Sequence, residues 1–189
     1  MNQFNGFSVT LKDLRSANAC FEGYNKVVRV LQGREFTPED AGLKHYLRFK
    51  HSESIDLLSI LESNGLDDTL WAFRCVKDKD REIRLYTVWC ARQVEHFMTD
   101  ERSKNAILVA EKYANGGASD EELEEARDAA YAAASDAASD AASAASDAAS
   151  RAASHVAPHV ASRVASREAQ KEMLIKMLKG EAPWQVKQY

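Results

Sequence analysis

Stretches that alternate apolar and polar residues between turn signals are missing from this sequence, and with them any pattern for paired strands. Apolar runs are short: none approaches the roughly 18 residues that a membrane span requires. The opening Met1-Asn-Gln-Phe-Asn-Gly is polar and uncharged, unlike a secretory leader. Cysteine is scarce, and Cys20, Cys75 and Cys90 are odd in number, far apart and without CxxC spacing. That pattern fits free thiols in a reducing cytoplasm. A glycine loop able to cradle phosphate is absent, and the carboxylates are scattered over helix starts instead of converging. The net charge of −4 gives no general pull towards nucleic acid or an anionic membrane.

These absences weigh against catalysis. Cys75 and Cys90 lie on tryptophan-bearing segments, where cysteine packs as a small apolar residue. A nucleophile would need a base and an oxyanion site, and neither can be picked out. His155 and His159 stand four apart, a zinc-like spacing, but Pro158 intervenes and no carboxylate or thiol is close in sequence. The expectation is therefore a protein that is not an enzyme, with no catalytic residues, no metal and no cofactor.

What the chain does have is a four-residue repeat between Ala126 and Arg167, running Ser135-Asp-Ala-Ala, Ser139-Asp-Ala-Ala, Ser143-Ala-Ala, Ser146-Asp-Ala-Ala and onwards. Alanine has the highest helix propensity, so the repeat predicts helix. A step of four overshoots a turn by about 40°. The steps from Ser135 to Ser146 are four, four and three, which keeps the serines on a nearly straight stripe beside Asp136, Asp140 and Asp147. After Ser146 every step is four and the stripe must spiral. Pro158 then occupies a serine slot, where an interior proline removes a hydrogen bond and costs about 3 kcal/mol. Register and proline together predict a kink or turn near Val156–Pro158. Length agrees: a helix over 120–156 would be roughly 55 Å long, against a radius of gyration of about 16 Å for a compact chain of this size.

Charge changes sign along the repeat, from acidic over Glu121 to Asp147 to basic or protonatable at Arg151, His155, His159, Arg163 and Arg167. This order complements the helix dipole. It also offers a bipolar binding surface made of Asp136, Asp140, Asp147, Arg151, His155, His159, Arg163 and Arg167.

Upstream, the signals are those of successive short helices. Thr10 with Asp13 caps Leu11 to Asn18, and a second helix runs from Phe21 to Leu31 with Tyr24, Val27, Val28 and Leu31 inward. Thr37-Pro38-Glu39-Asp40 opens a helix expected to carry Leu43, Tyr46, Leu47 and Phe49. Glu53 to Ser63 follows, closed by Asn64-Gly65, and then the segment Leu66 to Val76. Arg81 to Met98 is read as one helix, with Leu85, Val88, Trp89, Arg92, His96 and Phe97 at spacings of three and four. Trp71, Trp89, Leu85 and Phe97 are expected to be buried together. Thr99-Asp-Glu caps Arg102 to Tyr113, and Ser119-Asp-Glu-Glu122 is a capping box that launches the repeat. A last helix up to Lys179 places Met173, Leu174, Met177 and Leu178 inward, while Trp184 is either a core plug or an exposed contact. The expectation is an all-α fold: a helical domain over 1–117, the alanine–serine segment over 118–180 and a tail over 181–189.

Several segments resemble a family of helical proteins from bacteriophages and bacteria. They are Leu11-Lys-Asp-Leu-Arg-Ser-Ala-Asn-Ala-Cys20, Leu66-Asp-Asp-Thr-Leu-Trp71-Ala-Phe-Arg74, Val88-Trp-Cys-Ala-Arg92, Met98-Thr-Asp-Glu-Arg-Ser103 and Glu111-Lys-Tyr-Ala-Asn-Gly116, followed by an alanine-rich repeat. The second half is similar to domains described as immunity proteins. The resemblance brings no catalytic residues. It implies a phage or prophage setting, the host cytoplasm, and action by binding another protein: a host factor, a defence component or a toxin.

Other functions fit the residues less well. Residues 151–179 are locally basic, but Glu168 and Glu172 dilute the charge and no aromatic interleaves to stack on bases, which disfavours nucleic acid as a partner. The acidic half could instead imitate a nucleic-acid backbone. Ice binding would need a flat, mostly alanine and threonine face, and this repeat is charged and spirals. The second reading, from a different class, is a structural or self-assembling protein whose alanine–serine repeat makes a homo-oligomer seam. No membrane partner is expected.

Overall fold

The computed structural model describes residues 6–148 and 156–186, with side chains over 6–136 and 167–186. The fold is all-α. Of the described residues, 6–79 and 175–186 form one compact unit and 80–148 with 156–174 form another. The junction is thus at Lys79–Asp80, and residue 117 lies inside the second unit.

In the first unit, strand β1 (Ser8–Val9) leads into α1 (Leu11–Ser16) and α2 (Phe21–Leu31). Thr10 and Asp13 cap α1 reciprocally, with the Asp13 N–H donating to Thr10 Oγ1 at 3.1 Å and the Thr10 N–H to Asp13 Oδ2 at 3.0 Å. Helix α2 buries Tyr24, Val27 and Val28, the expected face at spacings of three and four. Thr37 and Asp40 form a second capping box on α3 (Pro38–Ala41). Beyond Ala41 the expectation of a longer helix through Phe49 is overturned: after Gly42 the chain is irregular as far as Glu53. Its backbone bonds go elsewhere. Buried Asn25 takes the Leu47 N–H on Oδ1 at 2.8 Å and donates from Nδ2 to the His45 carbonyl at 3.0 Å. The Tyr46 hydroxyl donates to the Ala19 carbonyl at 2.6 Å, and its ring meets Phe21 and Tyr24 edge to face.

The expected helix from Glu53 also starts late. Ile55–Asp56 is strand β2, antiparallel to β1, with Val9 opposite Ile55. This two-residue bridge was not foreseen, because a strand so short has no alternation to show. Asp56 then caps α4 (Leu57–Asn64). Gly65 has φ +88°, a conformation natural to glycine, and lets α5 (Leu66–Ala72) follow directly. The buried face of α5 is Leu66, Thr69 and Ala72. The Thr69 hydroxyl is satisfied by the Gly65 carbonyl at 2.8 Å, as a polar group at 0 % exposure must be.

In the second unit, α6 (Asp80–Arg92), α7 (Glu101–Ala114) and α8 (Asp120–Ala148) succeed one another through short connections. Helix α7 packs against α6 and against α8. The expected helix to Met98 ends instead at Arg92, and Glu95–Phe97 is a single 3-10 turn. Phe97 is therefore not core: it is 73 % exposed and stacks on His96. The expected cluster fails on the tryptophans too. Trp71 and Trp89 are only half-buried and belong to different units, although Leu85 is buried.

Ser119 and Glu122 make the foreseen capping box of α8, at 2.7 and 3.2 Å. The helix buries Ala126 and Ala133, seven residues apart. Helix α9 (Val156–Lys179) holds Pro158 at its third residue. The change of direction expected near Val156–Pro158 falls on residues that are helical at the described start of α9, and residues 149–155 before them lie outside the described residues. The Tyr86 hydroxyl donates to the Gln170 carbonyl at 3.0 Å within the second unit. Met173, Leu174, Met177 and Leu178 are buried as expected, and Gly180 ends the helix. Trp184 is half-buried, and its indole N–H is enclosed without a partner among the described residues.

Candidate binding surface

Of the eight residues singled out from the sequence, two have described side chains. Asp136 accepts from Arg102 Nη2 at 2.8 Å, so its carboxylate ties α8 to α7. Arg167 is exposed on α9. The side chains of Asp140 and Asp147 on α8 and of His159 and Arg163 on α9 lie outside the described residues, as do Arg151 and His155 altogether. The bipolar surface is thus seen only at its Asp136 and Arg167 ends.

A different surface stands out where α8 begins. Helices α7 and α8 leave a shallow groove of about 650 Å³ floored by Ala106, Ala110, Ala130 and Ala134. A second hollow of about 380 Å³ lies between α6 and α7 and shares Arg84, Ala106 and Ala110 with the first. The alanines explain both hollows, because helices joined through methyl groups leave the space that larger side chains would fill. Tyr131, on the edge of the larger groove, is 79 % exposed, far more than a tyrosine serving a core. Leu123 lines the groove beside the alanines, and Arg84, Asp120, Glu124 and Arg127 flank it with charge of both signs.

Polar contacts hold the frame. The Arg84 guanidinium lies 4.7 Å from the Tyr113 ring centre, and the Tyr113 hydroxyl donates to Asp120 Oδ1 at 2.6 Å. Bonding to that carboxylate pushes the Tyr113 hydroxyl pKa up. Arg92 clamps Glu111 of α7 and also Glu95, at 3.0 Å. Arg102 bonds both Asp100, at 2.7 Å, and Asp136, which raises the guanidinium pKa further. On the rim, Arg127 pairs with Glu124 at 2.5 Å.

Cys75 is buried, its thiol directed to the Asp13 carbonyl at 3.8 Å, and burial raises its pKa. Burial likewise raises that of Cys90. Both are thiols, not thiolates, near neutral pH. Among the described residues no three His, Cys, Asp or Glu side chains gather as a metal would need. No helix there is long and apolar enough to cross a membrane.

The sequence reading missed Arg84, Arg127 and Tyr131. Only Tyr131 left a signal: it is the single aromatic side chain between Ala126 and Ala134. Comparison with known protein families, curated proteins and solved structures gives no match for this chain.

Proposed function

We propose that this protein acts by binding another protein, whose helix lies in the α7–α8 groove. The observation that supports this most is Tyr131, held in solvent at the edge of an alanine floor. An exposed aromatic beside small residues gives a partner helix both close approach and an anchor, the combination that concentrates binding energy. Arg84, Arg127, Glu124 and Asp120 supply a rim of both signs, suited to setting the register of the partner. Taken with the resemblance to phage and bacterial helical proteins, the partner is a host factor, a defence component or a toxin in the cytoplasm. The protein is not an enzyme on this reading and needs no cofactor.

A second reading keeps the surface and changes the occupant. The same alanine floor fits a second copy of the chain, with the alanine–serine repeat as the seam. Tyr131→Ser combined with Arg127→Glu separates the two. Loss of a heterologous partner, with unchanged sedimentation and helix content, supports the first reading. Loss of self-association with no heterologous partner supports the second. If both partner recovery and sedimentation match the parent, neither use of the groove stands. Substituting Asp136, Asp140 and Asp147, or Arg151, Arg163 and Arg167, by serine tests the bipolar repeat in the same way.

A further inference from the structure

The first unit contains a cavity that protein binding by α7 and α8 does not use. It measures about 120 Å³, and its deepest walls are the buried Leu14, Tyr24, Val27, Ile60 and Ala72. The more exposed members, Cys20, Gly23, Asn64, Asp68 and Trp71, form its mouth. We infer that this cavity binds a small organic cation, an arylalkylammonium with its ring among the apolar walls and its ammonium against Asp68.

Size sets the first limit. A cavity of about 150 Å³ lined by apolar side chains can hold benzene, so this one takes a body of one ring. Charge sets the second. Asp68 is the one carboxyl side chain lining the cavity, and among the described residues no lysine or arginine forms a salt bridge with it. The carboxylate is held in place. Asn64 donates from Nδ2 to Asp68 Oδ2 and to the Gly23 carbonyl, both at 2.8 Å, bridging α5 to α2. Gly23 is what admits it: a Cβ there would stand 2.8 Å from Asp68 Oδ2 and 3.2 Å from Cys20 Sγ. Gly23 lies in the first turn of α2, and its absent side chain makes room for a carboxylate.

Two further observations point to a ligand. The Tyr24 hydroxyl is enclosed yet has no hydrogen-bond partner among the described residues. Native proteins rarely leave such a group unmet, and Tyr24 is one of the residues lining the cavity. The Trp71 ring at the mouth gives an ammonium an aromatic face as well as a carboxylate. Arg74 lies over that ring at 4.6 Å and Arg15 is 5.8 Å from the Tyr24 ring centre. Both arginines are exposed, where water and salt weaken their opposition to a bound cation.

The test is titration calorimetry of the full chain with benzylammonium, benzyl alcohol and benzoate, three probes alike in shape and different in charge. The amine should bind about tenfold tighter than the alcohol, and benzoate should be the weakest. Asp68→Asn should bring amine and alcohol level, and Gly23→Ala, which displaces the carboxylate, should weaken the amine alone. On the unsubstituted protein, bound benzylammonium should slow alkylation of Cys20 by iodoacetamide, read by peptide mass. The inference is overturned if amine and alcohol bind alike, if none binds at about 10 mM, or if Cys20 is not protected. These outcomes are independent of Tyr131 and its groove.

Discussion

Asn25 shows how one side chain can replace a secondary-structure element. At 0 % exposure it supplies an acceptor and a donor to the backbone of residues 45–47, which otherwise lack a ladder or a helix. Asn25→Ala should cost about 1–3 kcal/mol, the penalty for leaving buried backbone groups unmet. Hydrogen exchange at the Leu47 amide should accelerate as well. A variant with unchanged stability and protection at Leu47 would show that solvent satisfies this segment. Phe97 makes the opposite point. Phe97→Ser should shift the melting temperature by no more than about two degrees, since an exposed ring contributes little burial. Leu174→Ala, at a fully buried position, should cost about 2–5 kcal/mol. Trp89 is half-buried, so its truncation should cost less than the roughly 3–5 kcal/mol of an enclosed aromatic.

Helix starts were the most legible elements, because a cap is written within four residues. Thr10, Thr37 and Ser119 all cap helices where caps were expected, and each makes reciprocal bonds with the acid three residues on, which had been foreseen only for Ser119 with Glu122. Helix ends were less legible where distant residues decide them. The expected helix over 38–49 gave way to Asn25 and Tyr46 contacts that span 20 to 27 residues in sequence. The expected helix to Met98 stopped where Arg92 turns to Glu95 and Glu111. The caps also set an acid sensitivity. Asp13 is held below the usual carboxylate range by the Thr10 hydroxyl, and Asp40 by the Arg29 guanidinium. A depressed carboxylate stabilises the fold fully above its unfolded pKa of about 3.9, and that stability is lost as pH falls through the lower folded value. Asp56 has the opposite sign, since burial raises its pKa and acid relieves the cost. Denaturant midpoints should therefore hold from pH 7 to about 5 and fall below about 4. Asp40→Asn should lower the plateau and flatten the fall. A fall of unchanged depth in that variant would remove Asp40 from the account.

At the scale of the whole molecule, the binding surface was the least legible part. A run of alanine announces helix but not what its methyl groups will leave open. The α7–α8 groove exists because Ala106 and Ala110 on one helix face Ala130 and Ala134 on the other, a coincidence of two segments that no local pattern encodes. The charged residues of the repeat were conspicuous in sequence for a simpler reason: with the serines they recur at regular steps among the alanines. Asp136 turns out to be held by Arg102. Asp136→Ser should leave the melting temperature within about two degrees, as loss of an exposed pair does. The central claim is that a different protein docks at the α7–α8 groove. Its most direct measurement is site-specific photo-cross-linking in bacterial cells, with a benzophenone amino acid in place of Tyr131 and, as control, in place of exposed Lys12 of α1. The account predicts a cross-link from position 131 to a protein of different sequence, absent from position 12 and lost when Arg127→Glu is added. Cross-links only to a second copy of this chain, or to the same proteins from both positions, would contradict it.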